Sequence, residues 1–203
     1  MTVRRQARGR ARIESILDAA EALVAEAGYD GMTTNLVAAR AGISPGSLYQ
    51  YFGNKAELLD GLLDRYTAQM DLFWEEQLGG DATRLPIETV VDRVVDAVVA
   101  FKADRPGVWA LFHGSVTSDA QARAAQCLNG QLADRLDDLY AARAPHLAPE
   151  RRRLVADVSV ATVTSLMPLV MVQPGPGGPR SAAAVAELKS VLSGYLGPAL
   201  AAP

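Results

Sequence analysis

The sequence predicts an all-α fold, and three observations carry that expectation. Apolar residues recur at spacings of three and four along nearly every segment. No stretch alternates convincingly as a strand. Ala, Leu and Val are abundant while aromatic residues make up 6% of the chain, a composition that leans toward helices. About nine helices are expected.

Each can be placed in order. Ile13, Ile16, Leu17, Ala20, Leu23, Val24 and Ala27 form one stripe, and Gly28 is placed to end that helix. Gly28-Tyr29-Asp30-Gly31 reads as a turn. A second helix from about Thr34 to Ala41 stops at Gly42. A very short third begins at Ser44-Pro45, a side-chain cap followed by proline at the first helical position. Asn54 to Glu57 has capping-box spacing and opens a longer helix with Leu58, Leu59, Leu62, Leu63, Tyr66 and Met70, broken at Gly79-Gly80. Ile87, Val90, Val91, Val94, Val95, Val98 and Val99 make a wide apolar face. After Arg105-Pro106-Gly107 a short helix is expected with Val108, Trp109, Leu111 and Phe112. Ser118 and Gln121 form a second capping box before a helix with Ala125, Leu128, Leu132, Leu136 and Leu139. Arg151 to about Val172 is helical, Gln173 to Pro179 is a Pro/Gly linker, and Ala182 to about Ala201 is the last helix.

Bulk properties bound the function. The single Cys127 rules out an intramolecular disulfide framework and a multi-cysteine metal site, and fits a reducing cytoplasm. No cofactor or metal is expected. The net charge of −3 argues against nucleic acid, but its distribution does not. Residues 1–55 hold seven Lys/Arg against five Asp/Glu, and the remainder thirteen against eighteen. Arg4, Arg5, Arg8, Arg10 and Arg12 stand together with no acid beside them, as in a segment that meets phosphate or in a solvated tail. The apolar run from Val158 ends at Val172, short of the roughly 20 residues a membrane span needs, so it reads as a helix buried in protein.

Residues 33 to 52 read TTNLVAARAGISPGSLYQYF, two helices joined by a tight glycine turn. Val37, Ala38, Ala41, Ile43 and Leu48 are small or apolar and let those helices cross closely. The third helix opens on small residues, Ser44, Pro45, Gly46 and Ser47, so its N-terminus can press into a major groove. No acid occurs between Asp30 and Glu57, as suits a surface facing phosphate.

At this point the sequence resembles the TetR family of transcriptional repressors. The resemblance rests on Gly28-Tyr29, Thr33-Thr34, Ala38, Ala41-Gly42-Ile43-Ser44, Gly46-Ser47-Leu48-Tyr49, Tyr51-Phe52 and Asn54-Lys55-x-Glu57-Leu58-Leu59. It covers about residues 12 to 60; beyond them only length, helix count and two closing helices match. It implies that Thr33 caps the second helix, and that Thr34, Tyr49, Tyr51 and Lys55 touch phosphate. Ser44, Pro45, Gly46, Ser47 and Gln50 then face the groove, with Asn35 at a base-reading position; Asn or Gln can bind adenine bidentately. Pro45-Gly46 offers little side-chain hydrogen bonding, which shifts readout toward Asn35, Ser47, Gln50 and DNA shape. Tyr49 can equally pack on the first helix.

The resemblance further implies three regions: a basic flexible arm over 1–11, a helix-turn-helix DNA-binding domain over 12–55, and a larger ligand-binding and dimerisation domain over 56–203. The chain is then a regulator, most readily a repressor released from a palindromic double-stranded operator by a small-molecule effector, acting as a homodimer away from membranes. Trp74, Phe101, Trp109, Phe112, His113, Met167 and Met171 are the candidate pocket residues, although aromatics and Met at helical spacing also serve as core. A ligand-independent activator or architectural protein shares every N-terminal feature. An enzyme is disfavoured, because His113-Gly114-Ser115 has no nucleophile elbow or partner motif. Phosphate loop, dinucleotide fingerprint and HExxH are all missing from the sequence.

Overall fold

The computed structural model describes residues 2–105, 107, 119–171 and 178–201. Among the described residues there are eight helices and no strand: α1 Thr2–Gly31, α2 Thr34–Arg40, α3 Pro45–Leu48, α4 Lys55–Leu78, α5 Ile87–Ala103, α6 Asp119–Arg143, α7 Pro149–Val170 and α8 Pro179–Leu200. The helix expected over Val108–Phe112 and most of the 173–179 linker lie outside them. Two compact units divide the chain, one from Met1–Gln69 with the described residues of Arg105–Ala122, the other from Met70–Asp104 with Arg123–Pro203. The first unit therefore reaches past the expected boundary at Lys55, because the opening turns of α4 belong to the core of α1 to α3.

In the first unit α1 runs from Thr2, so residues 2–11 lie on its first turns. Arg, Gln and Ala in this segment are good helix formers, and the helix carries through Gly9, which costs roughly 1 kcal/mol relative to alanine. The side chains of Arg8, Arg10 and Arg12 remain exposed. At Gly28 the backbone leaves helical geometry, with φ 70° and ψ 174°, where the sequence expects the helix to stop. A further turn continues to Gly31, and the Met32 N–H donates to the Tyr29 carbonyl at 3.1 Å.

The core of this unit joins Ile16, Leu17, Ala20 and Val24 of α1 with Val37 and Ala38 of α2, Leu48 of α3 and Leu58, Leu59 and Leu62 of α4. Ala41 and Ile43 pack against it, as the helix-turn-helix reading requires. Gly42 makes the turn with φ 66°, a left-handed conformation that glycine adopts without steric cost. Beside this core, Arg65 of α4 is nearly buried and meets three carboxylates of α1: Asp18 at 2.6 Å, Glu14 at 3.4 Å, and Glu21. Gly107 lies against α1 so closely that an added Cβ would stand 2.3 Å from the Glu21 carbonyl oxygen.

In the second unit α8 packs on both α5 and α7. Ion pairs tie its surface, among them Lys189 with Asp96 at 2.8 Å and Arg152 with Asp137 at 2.7 Å. Helix α7 is long and apolar enough to cross a membrane by length and composition alone, yet Val155, Ala156, Ser159, Val160, Met167 and Val170 are buried within this unit. Its other side leaves Leu154 and Leu169 open to solvent, and α8 leaves Val191 open. Leu188 and Leu192 of α8 are buried in the unit's own core.

Candidate nucleic-acid interface

Local sequence sets the geometry of this surface. Thr33 caps α2 in extended geometry, and its hydroxyl accepts the Leu36 N–H at 3.2 Å. Ser44 caps α3, accepting the Ser47 N–H at 3.2 Å with the Ser47 hydroxyl 2.9 Å away. Pro45 fills the first position of α3, whose missing N–H would have no partner there. The chain then turns through Tyr49, Gln50 and Tyr51, held by the Tyr51 and Phe52 N–H groups donating to the Leu48 carbonyl at 2.8 and 3.0 Å. Asn54 opens α4 by accepting the Glu57 N–H at 3.0 Å, while the Glu57 carboxylate accepts from Gly53 N–H at 2.7 Å.

These caps bring together residues that the sequence reading singles out. Thr34 and Tyr49, fifteen positions apart, place their hydroxyls 3.3 Å from each other. Tyr49 is 51% exposed. Lys55 is half-buried; its ammonium donates to the Asp30 carbonyl at 3.2 Å and lies 4.2 Å from the centre of the Tyr29 ring. A lysine has three donors, so this arrangement leaves hydrogens for a phosphate. Asn35, Ser44, Pro45, Gly46, Gln50 and Tyr51 are exposed, as is Thr33; Ser47 is half-buried. The Ser44 and Ser47 hydroxyls are engaged in the cap. Among the described residues no protein group holds the Asn35 or Gln50 amides, which leaves their full hydrogen-bonding capacity outward.

Leu36, 48% exposed beside Asn35, is a member of this surface that the sequence reading omits. The signal was present, since Leu36 falls off the Val37–Ala38–Ala41 stripe. Arg40 is exposed too, but Glu26 of α1 takes its guanidinium at 2.6 Å.

The second unit holds a partly open cavity of about 60 Å³. Its walls are Trp74 of α4, Val90, Val94, Val95 and Val98 of α5, Leu132, Leu136 and Tyr140 of α6, Ser159, Val163 and Met167 of α7, and Leu192 and Leu196 of α8, with apolar neighbours. Among the described residues no charged side chain lines it. The Tyr140 hydroxyl stands 3.3 Å from the Ser159 hydroxyl, which itself donates to the Val155 carbonyl at 2.8 Å. Burial pushes the Tyr140 phenol up to about 12, so it stays protonated at neutral pH.

Of the expected pocket residues, Trp74 and Met167 line this cavity. Phe101 does not: its ring packs on Phe73, centroids 5.1 Å apart. Met171 forms the C-cap of α7 and is not among the residues that line the cavity. Trp109, Phe112 and His113 lie outside the described residues. The valine row of α5 is the lining that the sequence reading missed, although an apolar face that wide exceeds what one helix contact needs.

A capped helix, a glycine turn and a short helix with exposed amides and hydroxyls define a helix-turn-helix protein of the DNA-binding type. The N-terminal unit matches the family model described as bacterial regulatory proteins, tetR family, over residues 16–62. Residues 86–196 match the tetracyclin repressor-like C-terminal domain. The chain belongs to the tetR family of bacterial regulatory proteins. It is 32% identical over 125 residues to the HTH-type transcriptional repressor KstR of Rhodococcus jostii, covering 62% of this chain and 57% of that protein. The chain thus matches little more than half of that repressor's length. It is 47% identical over 49 residues to the tetracycline repressor protein class D of Escherichia coli, 24% of this chain and 22% of that one. A TetR-family regulator from Streptomyces coelicolor superposes with a TM-score of 0.67 at 28% identity, covering 95% of this chain and 99% of that chain.

Proposed function

We propose that this chain is a sequence-specific DNA-binding transcriptional repressor, released from its operator when a small molecule occupies the second unit. The observation that carries the reading is the surface of α2, α3 and the following turn. Asn35 and Gln50 are exposed there and would meet base edges, with the Thr34–Tyr49 pair and Lys55 available to phosphate. Exposed cations at Arg8, Arg10 and Arg12 add phosphate attraction.

A dimer supports that use. Leu154 and Leu169 of α7 and Val191 of α8 are large apolar side chains left in water by the protomer, and a second copy covers them by two-fold symmetry. Paired reading heads would then meet half-sites about one DNA turn (~34–36 Å) apart. Release requires the effector to bind the DNA-competent and DNA-incompetent states with different affinity, by the cavity of the second unit. The work of such a protein is binding in the cytoplasm rather than catalysis.

The test is selection of genomic fragments by the purified protein, followed by footprinting and solution mass. Recovery of fragments sharing an inverted repeat, bound by a dimer, is the expected result. Recovery of random fragments, bound with affinity that depends on salt alone, would overturn the reading.

A further inference from the structure

The cavity of the second unit specifies its occupant by what its walls lack. Among the described residues every lining side chain is uncharged, so an ion entering it would lose hydration and meet no counter-charge on those walls. Its volume of about 60 Å³ of water-centre positions corresponds to roughly four to six waters, or about 120–180 Å³ of liquid volume, the scale of one or two fused rings. The polar feature is local. The Ser159 hydroxyl spends its proton on the Val155 carbonyl at 2.8 Å, while the Tyr140 contact to Ser159 is long, 3.3 Å. Tyr140 can therefore turn its proton to a ligand oxygen while Ser159 remains satisfied. We propose that this cavity binds a neutral, compact apolar molecule carrying a single hydrogen-bonding oxygen, with Tyr140 as the group that recognises the oxygen. This rests on the reading of the second unit as the effector site and names the chemical class that site takes.

Three probes sharing one ring system separate the elements: naphthalene, 1-naphthol and 1-naphthoate. Binding is measured on the full-length protein by calorimetry and by the rise in melting temperature. The expected order is 1-naphthol first, naphthalene several-fold weaker, and 1-naphthoate weaker by roughly a hundredfold for want of a counter-charge. Tyr140→Phe should bring 1-naphthol down to naphthalene's affinity and leave naphthalene unchanged. Val163→Phe, which fills the cavity, should abolish all binding; Leu136→Phe serves the same purpose if the first variant fails to fold. Naphthoate binding as tightly as naphthol, or an unchanged naphthol affinity in Tyr140→Phe, would overturn the proposed class. Failure of all three probes to bind would overturn the cavity as a ligand site. Naphthol binding in the expected pattern without any change in DNA affinity would uphold the ligand class and count against the effector reading alone.

Discussion

Replacing Lys55 by alanine removes a cation that serves two surfaces. In the free protein the ammonium lies 4.2 Å from the Tyr29 ring centre and donates to the Asp30 carbonyl at 3.2 Å. An exposed cation–π contact is worth about 0.5–1 kcal/mol and the hydrogen bond about 1 kcal/mol, so the variant should lose about 1–2 kcal/mol of stability. On DNA each copy gives one phosphate contact and a dimer two. At about −0.9 per contact, the slope of log affinity against log salt should become shallower by about 1.8. Between 50 and 200 mM salt that difference compounds to about tenfold in relative affinity. Fluorescence anisotropy of a labelled duplex across that range reads the slope, and operator and random DNA should weaken alike. An unchanged slope, or a loss confined to one base pair of the operator, would refute the phosphate assignment.

Three further outcomes follow from packing and charge. In Gly61→Ala the added Cβ would stand 2.9 Å from the Phe52 ring and 3.1 Å from Leu17; overpacking of this kind costs about 1–3 kcal/mol and should lower the melting temperature. Leu169→Asp combined with Val191→Asp puts charge on the open apolar face without touching the protomer's core, so sedimentation should show a folded monomer with weakened operator binding. A variant that stays dimeric would place the interface elsewhere. Burial lowers the Lys102 ammonium to about 8, so between pH 8 and 10 the unfolded chain binds more protons and stability should rise with pH. Above pH 10 the Tyr66 and Tyr140 phenols, both raised to about 12 by burial, reverse the trend. Lys102→Met should flatten the rise between pH 8 and 10 in denaturant titrations.

What the sequence disclosed was local. Ser44-Pro45 and Asn54 with Glu57 specify helix starts through bonds spanning three or four residues, and the structure forms those bonds. Gly42 likewise marks a turn that its own backbone freedom allows. Periodicity also identified the wide apolar face of α5, but an apolar face says only that it is covered, not by what. On α8, Leu188 and Leu192 are covered by their own unit, and the open positions are Val191 and, on α7, Leu154 and Leu169. Cavity walls were the least legible part. Tyr140 and Ser159 meet across nineteen positions and two helices, and neither carries a local signal of that meeting.

The central claim, that Asn35 and Gln50 read bases while their neighbours hold the backbone, is tested most directly by a ratio. The affinity for the selected operator relative to random DNA of equal length should be measured for the native chain and for Asn35→Ala with Gln50→Ala. Each substitution should cost about 1–3 kcal/mol on the operator and little on random DNA, so the ratio should collapse while non-specific binding and its salt slope persist. If both affinities fall together and the ratio is preserved, these side chains position the protein, and the reading surface has been misassigned.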